Sequence, residues 1–379
     1  MPAGADVYGF LYDGHRAIND PGAIYPQSVL LIERGFVFVT LYPPPQLLIA
    51  AIYASIPGQF GAVAWVLTDA LAAVAALVLV FRFVRDSHPA ALPIFCLLVI
   101  CFTPLFEDVR LGQRSGLLLM LSVGSMAAIA SRPAAAGILA GIATALKFYP
   151  GAMVLAVDPR KQLTFIATLA ATAALILGAS FIPFGSPLFY FTRVFLPSIT
   201  WQRSGPHDCF QNSTQLLFAR VVGGESYGVI DQSGVWRPSS FVPWHFTTAS
   251  TILGYAAVGL IVVAAVWAVR RSGVAQPYSL ALCFSLGTLV PGEVFTYQFV
   301  PMLPLFIVMF MKALQHGKVG TMLILASALW VLLISPCALP LPSLWTVAAL
   351  GIFATSVVWA PLFRNTGAPA GTSRGSAAD

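Results

Sequence analysis

Seven apolar runs, at 61–81, 90–106, 115–130, 163–183, 249–269, 319–335 and 344–362, each come close to the roughly 20 residues a helix needs to cross a bilayer. This feature narrows the fold more than any other. The runs are continuous and do not alternate, so a transmembrane β-barrel is excluded and an all-α polytopic membrane protein is expected. Composition supports this. Of 379 residues, 58% are hydrophobic and only 9% are charged, against about 25% charged in soluble domains. A soluble fold of this composition would expose large apolar patches.

Three further stretches are shorter or interrupted. Segment 45–57 is bounded by prolines, 134–157 is broken by Lys147-Phe148-Tyr149-Pro150, and 278–311 holds Pro291-Gly292-Glu293 near its centre. Arg82/Arg85, Arg132, Arg160/Lys161, Arg270/Arg271, Lys312/Lys318 and Arg364 lie in short loops and read as cytoplasmic. Their scatter gives no reason to expect nucleic-acid binding, although the net charge is +6. Parity makes 134–157 and 278–311 either pairs of short spans or re-entrant loops, with Lys147 and Pro291–Thr296 near outer apices. Segment 45–57 reads as interfacial or re-entrant. The total is about eleven membrane segments. Residues 1–44 then form an outer loop with no apolar segment ahead of them, so a first helix is expected to be missing from this chain. Residues 184–248 form a long outer loop, long enough to suggest function. A single membrane domain is expected over 1–364, followed by a disordered, Gly/Ala/Ser-rich cytoplasmic tail at 365–379. The five cysteines show no metal or redox spacing. There is no Gly-x-x-x-x-Gly-Lys-Ser/Thr motif for phosphates.

The polar residues on the outer side carry the candidate chemistry. Asp6 opens a tyrosine-rich stretch with Tyr12 and Asp13; a carboxylate beside apolar surface suits general-base work on a hydroxyl, and Asp13, Asp20 and Glu33 compete for the role. Lys147 is an ionisable group within a membrane segment. It is read either as a functional cation or as a lysine reaching for the headgroups. In the charged cluster 107–114, Gln113 and Arg114 sit where a helix start favours an anion, the plainer reading being a solvated turn. Tyr42 precedes a proline-led helix. Asn212 and Arg220 flank a polar run entering a helix, and Gln298 lies just inside an outer helix start. Both places are suited to sugar or phosphate contacts or to plain helix packing.

Taken in order, these residues resemble glycosyltransferase family 87, polyprenol-phosphate-sugar-dependent enzymes of the GT-C fold that include mycobacterial-type α-1,2-mannosyltransferases. The resemblance rests on Asp6 with Tyr12 and a Gly22…Tyr25 element, Tyr42-Pro43-Pro44, Trp65, Gly112-Gln113, Ala136-Gly137 through Lys147 and Pro150, and Gln211-Asn212-Ser213 with Arg220. It covers roughly residues 5–220. The chain departs from the family pattern at Gln298, where relatives often show a histidine. The resemblance implies an inverting hexosyltransferase of the inner (plasma) membrane with its active site on the extracytoplasmic face. Its donor is a polyprenyl-phosphate sugar, expected to be mannose, and its acceptor a glycan or glycolipid hydroxyl. Asp6 is implied as base, with Lys147 and Arg220 or Arg114 at the phosphate. No cofactor is implied and no metal site is assigned, though Asp6, Asp13 and Glu107/Asp108 leave a divalent metal open. The alternatives are a secondary transporter or lipid flippase, which broken helices at Lys147 and Pro291 would also suit, and a non-catalytic lipid-binding subunit. The sequence has no internal repeat of the kind transporters often show.

Overall fold

The computed structural model describes residues 5–33, 42–158, 162–196, 206–207, 211–212, 214–223, 228–230, 236–238, 242–243, 247–272, 276–290, 294–334 and 344–363. The tail at 365–379 and the apex Pro291-Gly292-Glu293 lie outside them. The fold is a helical membrane bundle with only short strand pairings among the described residues. Among the described residues three helices are long and apolar enough to cross: Phe60–Val84, Leu163–Ser180 and Thr248–Arg270. A fourth span is broken, Ala91–Ile100 and Thr103–Leu111 meeting at 52°. Shorter apolar helices complete the bundle, among them Met302–Gln315, Val319–Leu333 and Leu344–Trp359.

Residues 1–44, expected as a loop, are largely helical where described. Helix α1 (Ala5–Asn19) and helix α2 (Ile24–Glu33) are joined by a 3-10 turn at Pro21–Ala23. Helix α1 is amphipathic. Val7, Phe10 and Ala17 are buried at helical spacing, while Tyr8, Tyr12 and Ile18 face outward. Gly14 lets it lie on α3 (Pro44–Ala54), because a Cβ there would press on the Ala50 carbonyl. The segment expected as interfacial or re-entrant is this 11-residue helix, opened by Pro44 and Pro45 in its first turn.

Helix α4 (Phe60–Val84) shows how the membrane sorts side chains. Val63, Leu67, Leu71, Val74 and Val78 form an exposed apolar stripe suited to lipid, while Trp65, Asp69, Ala72, Ala76 and Val80 face the bundle. Helices α5 (Ala91–Ile100) and α6 (Thr103–Leu111) are one span interrupted at Cys101–Phe102, where Pro104 opens the new helix. The charged run 107–111 is therefore helical and not a turn. Helix α6 ends at Gly112, whose φ of +75° suits glycine; its amide bonds the Asp108 carbonyl at 2.9 Å. Helix α7 (Ser115–Ala128) follows, then α8 (Pro133–Leu146), which stops at an extended Lys147 before a 3-10 turn, Tyr149–Ala156. Helix α8 packs tightly on α9 (Leu163–Ser180) through Gly137 and Gly141. A Cβ on Gly141 would stand 2.7 Å from the Leu169 carbonyl oxygen. This is the small-residue packing that bilayers favour, where lipid gives helices no hydrophobic drive to associate.

The long segment 184–248 holds a π-helical turn, Tyr190–Phe195, and a helix, Thr214–Gly223. Three short antiparallel pairings are also described: Pro206–His207 with Val242–Pro243, Gln211–Asn212 with Val294–Phe295, and Gly228–Ile230 with Trp236–Pro238. The second ties this segment to the 294–299 region. Thr214 reinforces it by donating from Oγ1 to the Leu289 carbonyl at 2.8 Å.

Candidate functional site

The site is built where α4, α6, α7 and α8 present one end of the bundle. Two contacts fix α7 against α4 in parallel register. The Trp65 indole Nε1 donates to the Gly112 carbonyl at 2.6 Å, and one helical turn further on Asp69 reaches the start of α7. Asp69 Oδ2 accepts from the Gly116 amide at 3.2 Å and Oδ1 from the Leu117 amide at 2.9 Å. Asp108 Oδ1 accepts from the Ser115 amide at 3.3 Å. The first three amides of α7 are thus taken by carboxylates of the chain itself. Unsatisfied amides and the helix dipole both favour negative charge at such an end. Gly116 is required for this approach, since a Cβ would overlap the Asp69 carbonyl and lie 2.8 Å from its Oδ2. Lys147, at the end of α8, interacts electrostatically with both carboxylates, and Asp108 Oδ2 meets no hydrogen-bond donor among the described residues.

Arg114 precedes α7 and is only 5% exposed. Its guanidinium carbon lies 3.6 Å from the Trp65 ring centroid and 4.6 Å from that of Tyr53. Tyr53 is itself held by α4, its hydroxyl donating to Thr68 Oγ1 at 2.9 Å. The aromatic wall continues from Trp65 to Phe10 (5.0 Å) and from Phe10 to Tyr42 (4.7 Å). Nε and Nη2 of Arg114 meet no hydrogen-bond acceptor among the described residues, and Oε1 of buried Gln46 meets no donor among them. Arg114 and Gln46 line a small cleft whose other walls are Ile49, Leu117, Leu118 and Leu146. Buried guanidinium donors left open beside an apolar wall suit an anionic group attached to an apolar chain.

The structure brings Gln113, Arg114, Lys147 and, through Phe10 and Trp65, Tyr42 to this end. Asp6 is the second residue of α1; its side chain lies outside the described residues. Its neighbour Val7 packs on Gly112, where a Cβ would overlap the Val7 side chain, so the start of α1 rests on the α6–α7 turn. Tyr12 is exposed with Arg16 5.9 Å over its ring, and Asp13 pairs with Arg16 at 3.7 Å, both further along α1. Asn212 pairs with Val294 in the short ladder, and the Gln298 carbonyl accepts from Thr288 Oγ1 at 3.0 Å. The side chains of Asn212 and Arg220 lie outside the described residues. Among the described residues no cluster of three or more His, Cys, Asp or Glu side chains could hold a metal ion.

Sequence reasoning alone misses Asp69, Gln46 and Tyr53. Asp69 carries a usable signal, because it is the only acidic residue in the run 60–84, and intramembrane charges are functional candidates by default. The apolar length of the run hides it. Gln46 and Tyr53 carry no comparable signal, as polar residues near helix ends are common.

The model of glycosyltransferase family 87 matches residues 40–295, about two thirds of the chain. The matched segment contains Gln46, Trp65, Asp69, Asp108, Arg114 and Lys147 and begins after α1. Neither the curated proteins nor the solved structures compared with the chain include a significant match. The transporter and binding-subunit alternatives are set aside by the family match, and the chain belongs to glycosyltransferase family 87, a polytopic membrane glycosyltransferase.

Proposed function

We propose that the enzyme moves a hexose, mannose in the first instance, from a polyprenyl phosphate to an acceptor hydroxyl on the extracytoplasmic face, with inversion. The observation that carries this reading is the buried, aromatic-stacked Arg114, with two open donors beside an apolar cleft and with Lys147 nearby. A lipid-linked phosphate has both halves of that chemistry. Helices α4 and α7 begin at this end and α8 finishes there, whereas Arg82, Arg85 and Arg132 lie at the opposite ends of the same helices. The positive-inside rule then favours an outer site.

In this scheme Asp6 accepts the proton of the acceptor hydroxyl as its oxygen attacks the anomeric carbon. The bond from that carbon to the phosphate oxygen breaks, and polyprenyl phosphate leaves with the bonding pair. Arg114 and Lys147 stabilise the charge on the departing phosphate, a task commonly worth 10²–10³-fold in rate (roughly 3–4 kcal/mol) per well-placed donor. Arg220, Tyr12, Asp13, Tyr42, Gln113, Asn212 and Gln298 are assigned to sugar and acceptor contacts. No cofactor beyond the lipid-linked donor enters the scheme. The seat of Val7 on Gly112 supports Asp6 as base, because it holds the start of α1 against the turn that carries Gln113 and Arg114.

The test is transfer from radiolabelled polyprenyl-phosphate-mannose in membranes containing the enzyme. Activity with that donor and its loss in Asp6→Asn are expected. Transfer only from a nucleotide sugar sinks the donor assignment, and full activity in Asp6→Asn sinks the base assignment.

A further inference from the structure

We infer that Asp69 is a positioning residue that keeps the Arg114 guanidinium free for an anionic ligand. This rests on the proposed phosphate role of Arg114. A buried arginine beside a buried aspartate ordinarily pairs with it, since the fork of guanidinium donors matches a carboxylate. Here both Asp69 oxygens are spent on the Gly116 and Leu117 amides, and no ion pair joins Arg114 to a carboxylate among the described residues. Arg114 is therefore buried and stacked, with Nε and Nη2 unbonded among the described residues.

The segment 112–117 is pinned to α4 on both sides of Arg114. On one side Trp65 holds the Gly112 carbonyl; on the other Asp69 holds the Gly116 and Leu117 amides. Trp65 also supplies the ring on which the guanidinium lies, and Thr68 steadies Tyr53, whose ring meets Trp65 edge-on beside it. Three residues within one turn of α4, namely 65, 68 and 69, thus set the position of a side chain belonging to another helix. Gln46, across the cleft with its Oε1 unpartnered among the described residues, completes the polar end of the cleft. Asp69 touches no ligand in this arrangement; it acts through Arg114.

A double-mutant cycle tests this, read both as farnesyl phosphate binding to the purified enzyme in detergent and as kcat/KM for transfer. Arg114→Gln is expected to weaken both by about 100-fold, the scale of losing a well-placed charged donor. Asp69→Asn presents an NH₂ to one of the two helix amides and should displace Arg114. Its expected cost is about 10–100-fold in the wild-type background, the scale of a misplacement near 1 Å, and under about 3-fold once Arg114 is already Gln, because the two residues act as one unit. Thr68→Val, a milder change, should show the same pattern with a smaller loss and serves if Asp69→Asn does not fold. Equal penalties for Asp69→Asn, or for Thr68→Val in its place, in both backgrounds overturn the inference and mark a general structural role, as does wild-type behaviour in both single variants. If farnesyl phosphate does not bind the wild-type enzyme, the phosphate reading itself fails. If it binds and only Arg114→Gln weakens it, the positioning role alone fails.

Discussion

Replacing Trp65 with Phe isolates the contact that sets the α6–α7 turn. The substitution keeps an aromatic ring under Arg114 but removes the indole N–H, which donates to the Gly112 carbonyl at 2.6 Å in a region where both residues are buried. A buried carbonyl stripped of its donor costs about 1–3 kcal/mol. The guanidinium lies 3.6 Å from the Trp65 centroid, and passing from indole to the weaker phenyl face loses about 0.5–1 kcal/mol of a desolvated cation–π contact. The smaller ring leaves a void worth about 1 kcal/mol more. The sum is about 3 kcal/mol or above, a large part of ordinary fold stability. Thermal unfolding of the purified enzyme in detergent should show it as a midpoint lowered by about 4 °C. Trp330→Phe is the control, because Trp330 is 64% exposed on the lipid-facing side of its helix and should leave the midpoint nearly unchanged. Equal midpoints for the two variants would refute the reasoning, since the indole–Gly112 bond would then not be what fixes the turn.

Three other outcomes follow from the same geometry. Gly141→Val forces a side chain against the Leu169 carbonyl and Thr172, each only 2.7 Å from where the new Cβ would stand, and should separate α8 from α9 at a cost of about 2–3 kcal/mol; extraction yield and thermal midpoint measure it. Lys147→Gln removes the ammonium that balances Asp69 and Asp108. It should lower kcat/KM by about 100-fold and also lower the midpoint, whereas a change in KM alone would confine Lys147 to uniform substrate binding. Gly112→Ala meets both a φ of +75° and the side chain of Val7, so transfer should fall along with stability, by about 2 kcal/mol or more, as α1 lifts from the turn.

How much of the fold and the site is legible in the sequence depends on which physical signal carries each part. Span positions are readable because lipid demands apolar length, and the run 61–81 is the helix Phe60–Val84 with only its ends adjusted. The broken character of 134–157 is readable from Lys147 and Pro150, and α8 stops before Lys147. The run 107–114 is not readable as structure. Its charges suggest a surface turn, but Glu107 and Arg110 pair on the outside of α6 at 2.5 Å while Asp108 on the same helix is fully buried. Charge density alone cannot distinguish those fates, because they depend on which face α7 covers. A helix start near Ser115 attracts an anion on general grounds. That the anions are Asp108 and the far more distant Asp69 is tertiary information. Asp69 can be flagged from sequence as an intramembrane acid, but its partners cannot.

The charge balance of this cluster gives it a direction. Asp69 and Asp108 bring two formal negative charges, and Arg114 and Lys147 bring two positive ones, so an unliganded site need not bury a net charge. The carboxylates face donors as well as cations, though Asp108 Oδ2 meets no donor among the described residues. Besides the cations, three α7 amides and the positive end of that helix are directed at the carboxylates. Arg114 is not matched in the same way among the described residues: its guanidinium has aromatic faces beside it and open donors at its edge. On the proposed reading, the Arg114 end of the cluster is where an anion binds. In that proposal the phosphate sits at Arg114 and its apolar chain runs past Ile49, Leu117, Leu118 and Leu146. On the proposed reading, then, the phosphate end of the donor, more than the sugar, is what the described residues are built to hold.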